Sequence, residues 1–176
     1  MPSRRRSAST AALAITCLLA TLFASLGAAP ALADRTLQEA RIERAIDGDS
    51  LVARFGAKRV QVRLADIDAP EWRQAYGAAS RDLAERLVAG RIARIRSRAR
   101  DGYGRLVADV YLADGRSLGA VLVASGLAWH DARFRGNATL AELQETARRS
   151  RRGLWASARP EPPWDFRRRT SRSRRK

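Results

Sequence analysis

Cysteine and histidine are almost missing from this chain of 176 residues, which has one of each, Cys17 and His130. No zinc pattern of cysteines and histidines can be assembled from them. Chemistry that needs two histidines, as paired ligands or as an acid–base couple, is excluded as well. So is a disulfide framework, and the fold must hold through a packed core. A glycine-rich phosphate loop of the nucleotide-hydrolase type is absent, and there is no internal repeat. Lysine is scarce too: Lys58 and Lys176 stand beside 32 arginines. What is plentiful is positive charge, +16 in all.

That charge is unevenly placed. From Arg148 to Lys176 there are twelve basic residues against Glu161 and Asp165. A field of this kind favours polyanions, and the guanidinium fork suits phosphate. The other end reads as a leader. Arg4, Arg5 and Arg6 precede an apolar and small-residue run from Thr10 to Ala29, and Ala31-Leu32-Ala33 offers a cleavage site before Asp34. This is the layout of a secretory signal peptide over 1–33, with a retained anchor as the alternative. Export to a periplasm or beyond the cell is expected, with no membrane span left after cleavage. Cleavage would also remove Cys17. A single domain over 34–157 is expected, followed by a Pro/Arg-rich tail, 158–176, expected to be disordered.

Within the domain, Ala40–Ile46, Leu51–Phe55 and Arg59–Ala65 alternate as strands joined by tight turns, an antiparallel meander. Residues 66–76 read as a loop. Gly77–Ala89 reads as a helix with Leu83, Leu87 and Val88 on one face and Gly90 as its stop. Two more strands follow, Arg91–Ser97 and Arg105–Leu112. Ser117 is placed to cap a helix running to Ser125, and Thr139-Leu140-Ala141-Glu142 fits a capping box opening a last helix. Five strands with a helix inserted after the third predict an α+β fold, a five-stranded OB-type barrel with about three packed helices.

The chemistry sits in three short runs. Asp49, in the turn Asp47-Gly48-Asp49, and Asp68, in the loop after the best strand, offer oxygens for a hard cation, and calcium tolerates such irregular sites. Asp-Gly-Asp alone is ordinary turn chemistry; its pairing with Asp68-Ala69-Pro70-Glu71 gives it weight. Glu71 is a spare carboxylate able to take a proton from water. Arg63 and Arg105 are forks able to grip a phosphate, and Tyr103 is placed to stack on a base or bond a phosphate. Acids for a metal, a base and two guanidinium groups suit phosphodiester cleavage.

These runs, with Gly126-Leu127-Ala128-Trp129 and Gly153-Leu154-Trp155, resemble the staphylococcal-nuclease family from about Arg41 to Trp155. Pro163-Trp164-Asp165-Phe166-Arg167 is similar to the tail of many bacterial members. The resemblance implies an OB barrel and calcium-dependent cleavage of DNA and RNA at the bond to the 5′ oxygen, leaving 3′-phosphates. It implies calcium ligation by Asp49, Asp68 and the Ala69 carbonyl, and Glu71 as general base. It also implies Arg63 and Arg105 on the phosphate and Tyr103 beside the nucleotide. A monomer with no obligate protein partner is the simplest expectation. The competing reading is a catalytically inactive OB module that binds extracellular nucleic acid or anionic surfaces.

Overall fold

A computed structural model describes residues 37–131, 133 and 137–173; the expected signal peptide lies outside them. Five strands close a barrel in the order β1 (Leu37–Ala45), β2 (Ser50–Phe55), β3 (Lys58–Leu64), β6 (Leu106–Tyr111) and β5 (Ile92–Arg100). The first three form the meander, antiparallel throughout. The barrel closes where β6 runs parallel to β3 and β5 pairs with β1. The α+β fold is that of the OB type expected from the strand count.

Alternation explains the interior. Leu51 and Ala53 of β2, Val62 and Leu64 of β3, Ala93 and Ile95 of β5, and Ala108 and Val110 of β6 are all buried. β1 breaks period two: Ile42 and Ala45 both face inward, three residues apart. A register shift between Ile42 and Arg44 absorbs the extra residue, as a bulge does. A second shift, between Ser97 and Ala99 in β5, turns Arg98 out to bond both Asp66 and Asp109.

α1 (Gly77–Val88) presses Ser80, Ala84 and Val88 into the core. The buried face is therefore centred one position away from the expected one, and Leu83 and Leu87 only flank it. α2 (Leu118–Ala124) is capped by Ser117, whose hydroxyl accepts from the Ala120 amide at 3.3 Å. α3 (Ala138–Arg149) starts differently from expectation. Its cap is Asn137, accepting from the Leu140 amide at 3.2 Å, and Thr139 lies inside the helix. Asn137 earns the position because its amide also donates to Asp66, tying the helix start to the barrel.

The tail is the main correction. Residues 163–173, expected to be disordered, form a helix, α4 (Pro163–Ser173). Proline at its first position loses no helical hydrogen bond. The anchor is aromatic: Trp129 packs edge-on against Trp155, with ring centroids 4.3 Å apart, and against Trp164 at 5.5 Å. A second core of Trp129, Ala147, Leu154 and Trp155 thus extends to Trp164. Among the described residues no helix is long and apolar enough to cross a membrane.

Candidate functional site

The turn before β2, the end of β3 and the loop after it meet at one rim of the barrel. Gly48 makes this possible through close approach. A Cβ there would collide with Ser80 Oγ on α1 and crowd the Ala69 side chain. Asp49 follows directly and is buried, as is Asp68. Asp68 belongs to a two-residue strand, β4 (Ile67–Asp68), paired with β7 (Trp129–His130), so that Asp68 faces Trp129 in register. The segment expected to be all loop therefore contains this short ladder.

One guanidinium bridges the two acids. Arg63 donates from Nη1 to Asp49 Oδ1 and from Nη2 to Asp68 Oδ1 at 2.9 Å. Asp49 Oδ2 accepts from the Ala69 amide at 2.6 Å, and Oδ1 also accepts from the Ser50 hydroxyl at 3.2 Å. Burial pushes the Asp49 carboxyl up to about 7; Arg63 opposes that shift, and nearby Asp47 adds to it. A buried carboxyl in this condition gains from any further cation that reaches it.

A second guanidinium arrives from α4. Arg167 straddles Asp68, with Nη2 on Oδ2 at 2.6 Å and Nη1 on Oδ1 at 3.2 Å, and Nη1 also reaches Glu71 Oε1 at 2.7 Å. Asp68 foremost, then Glu71, raises the pKa of Arg167 beyond that of an ordinary arginine. Glu71 is otherwise exposed enough to meet water, its side chain 38% accessible. Its loop is pinned by Gln74, which accepts from the Glu71 amide at 3.1 Å and donates to the Glu161 carbonyl at 2.5 Å. Gly77 lets the loop close, since a Cβ there would strike the Glu71 carbonyl.

Arg105 and Tyr103 stand apart from this cluster. Arg105 precedes β6, two residues before Val107, the register partner of Arg63, so the backbone sets both arginines on the same side of the sheet. Its Nε donates to Asp101 at 2.7 Å and its guanidinium lies 5.5 Å from the Tyr103 ring. Among the described residues it makes no hydrogen bond or ion pair with Asp49, Asp68 or Glu71. Tyr103 is 88% exposed. Asp49, Asp68, Arg63 and Ala69 are thus brought together directly, Glu71 through Arg167, and Arg105 and Tyr103 by strand register alone.

The donor set suits a hard cation: two buried carboxylates bridged by Arg63, one of them with a raised pKa and the other also met by Arg167, beside the Ala69 peptide. No third carboxylate, histidine or cysteine joins them in a closed cage among the described residues. Such a site would leave coordination positions to water and substrate. Arg167 and Gln74 are the residues that sequence reasoning passed over. The signal for Arg167 was present in Pro163-Trp164-Asp165-Phe166-Arg167, a helix start with two aromatics, but it was submerged in a run of arginines.

Residues 61–157 match the family model described as staphylococcal nuclease homologue. The chain belongs to the staphylococcal nuclease family. It is 40% identical over 129 residues to an uncharacterized endonuclease of Escherichia coli O157:H7, covering 73% of this chain and 84% of that protein. It is 39% identical over 111 residues to the staphylococcal-like nuclease CAN1 of Arabidopsis thaliana, 63% of this chain and 34% of that protein. Protein ParB of Escherichia coli is 34% identical over 144 residues, 76% of this chain and 81% of ParB. In this family member the rim that carries Asp49, Asp68 and Glu71 also receives a helix from beyond the matched segment.

Proposed function

We propose that the protein is an exported, calcium-dependent endonuclease that hydrolyses DNA and RNA, breaking the bond to the 5′ oxygen and leaving 3′-phosphates. The observation that carries this reading is the Arg63 bridge, which sets two buried carboxylates and a guanidinium fork at one rim. Calcium held by Asp49, Asp68 and the Ala69 carbonyl would polarise the phosphoryl group and lower the pKa of attacking water. Glu71 accepts the proton of that water as oxygen attacks phosphorus. Arg63 donates to the non-bridging oxygens as their charge grows. Arg105 joins from the opposite side of the scissile ester once it exchanges Asp101 for phosphate. The leaving 5′ oxygen departs as a hydroxyl after protonation by solvent, and the 3′ side keeps the phosphate. Export rests on the leader sequence.

The test is digestion of DNA by the purified protein at millimolar calcium, repeated with chelator. Cleavage that chelator abolishes, with 3′-phosphate ends, is the expected result. One arrangement favours the second reading, a non-catalytic module for nucleic acid: Arg167 occupies Glu71, and Arg105 is taken by Asp101. Binding without cleavage at millimolar calcium would decide for it.

A further inference from the structure

From Glu71 an open groove of about 640 Å³ leads away between the loop after β4 and helix α4, a size within the roughly 300–1,000 Å³ of ligand sites. Its walls are Trp72 and Arg73 on one side and Phe166, Arg167 and Arg169 on the other. Arg73, Phe166 and Arg169 also line a second pocket of about 310 Å³, which continues the path to Tyr76 and Trp129. We propose that α4 and the Trp72 loop form a binding groove for a single nucleic-acid strand running outward from the scissile phosphate, with Trp72 and Phe166 stacking on bases. This deepens the nuclease reading and rests on it for the polarity of the site.

Trp72 is the strongest argument. A tryptophan 57% exposed is costly to leave in water. One of its faces has a partner: the Arg81 guanidinium of α1 lies 5.4 Å from its ring, a cation–π contact that favours one orientation of the plane. A ring partnered on one face and lining a groove is a platform for a base, and stacking of this kind tolerates any sequence. Duplex DNA keeps its bases stacked inside, so a platform selects an unpaired strand. The charge agrees with the rings. Arg73 is exposed and makes no ion pair among the described residues, and Arg167 stands at the closed end, touching Glu71. Arg169 is steadied by Glu161 through two contacts of 2.9 and 3.0 Å. Rings and guanidinium groups on both walls of one groove suit the bases and phosphates of a single strand.

The test is fluorescence anisotropy with labelled oligothymidylate of two and twelve nucleotides, on the full chain in chelator, so that nothing is cut. The wild-type protein is expected to bind the 12-mer far more tightly than the dimer. Trp72→Ala and Arg73→Ala should each weaken 12-mer binding roughly tenfold, in line with the loss of one stacked base or one phosphate contact. Arg86→Ala, which removes the same charge from α1 outside the groove, should leave the titration at the wild-type position. If Trp72→Ala does not fold by circular dichroism, Arg73→Ala decides alone. Titrations of the folded groove variants that superimpose on wild type overturn the proposal. A wild-type protein that fails to cut the 12-mer on adding calcium would sink the nuclease reading instead, while the anisotropy still judges the groove.

Discussion

Arg63 and Arg105 carry the same group on the same side of the barrel, yet the chain treats them differently. Arg63 is held by distant partners, an aspartate from the turn before β2 and another from β4, both buried. Arg105 is held by Asp101, four residues away in its own turn, beside a tyrosine almost wholly in water. The first arginine is built into the fold and cannot move without stranding Asp49 and leaving Asp68 to Arg167 alone. The second sits in a local clasp that opens without disturbing the barrel. One fork is therefore structural before it is chemical, and the other is free to respond to substrate. Substitutions at the two positions should separate stability from activity.

Arg63→Gln is the largest expected break. It leaves Asp49 facing burial without its bridge, and removing one partner of a buried pair costs about 3–5 kcal/mol. Urea denaturation should show that loss together with loss of cleavage; wild-type stability would mean the bridge is not needed by the fold. The pH dependence of the metal-free protein comes next. The Asp49 carboxyl rises from 3.8 to about 7 on folding. Between those values the folded state holds a proton that the unfolded chain releases. The contribution of Asp49 to stability is thus fully present below about pH 4, is lost as pH rises toward 7 by at most ~1.4 kcal/mol per unit, and is gone above. Asp49→Asn should flatten that slope in chelator, as read from urea midpoints at each pH.

Much of this was legible in the residues because the barrel obeys period two. Leu51 and Ala53, or Val62 and Leu64, show their faces without any partner in view. Asp49, Asp68 and Arg63 were legible because each lies within a few residues of a strand end. Where the sequence misled, distant contacts had overruled local patterns. Thr139 has the better capping box, but Asn137 wins because Asp66 accepts its amide. The run after Pro163 has the composition of a solvated tail, but Trp164 finds Trp129, thirty-five residues earlier, and Arg167 finds Asp68. No periodicity within eleven residues could report partners that far off. The same holds for Arg105: its motif names a phosphate fork, but only coordinates reveal that Asp101 holds it.

Gly48→Ala sharpens the comparison from the acid side. The glycine is required by approach and not by an unusual backbone angle, since the added methyl would overlap the Ser80 hydroxyl and crowd Ala69. Overpacking of this kind costs roughly 1–3 kcal/mol, and here the strain falls on the turn that aims Asp49. The variant should melt earlier and require more calcium for half-maximal cleavage. An unchanged calcium curve in a folded Gly48→Ala protein would show that the turn's position does not set the acid geometry.

The smallest effect on the fold, and the cleanest test of the Arg105 clasp, is Asp101→Asn. Desolvation works against ionisation of Asp101, but the Arg105 fork and the amides of Arg105 and Tyr103 together hold its carboxyl below the ordinary range. Asparagine keeps an Oδ1 to accept from the Tyr103 and Arg105 amides, now at 3.0 Å each, so the turn should survive. Only the charge that competes with phosphate for Arg105 is removed. Melting temperature should stay within experimental scatter while KM for a single-stranded substrate falls severalfold, and Arg105→Gln should cancel that gain. If Asp101→Asn leaves KM where it was, Arg105 does not have to leave its partner to meet substrate, and the two arginines differ less in mobility than their partners imply.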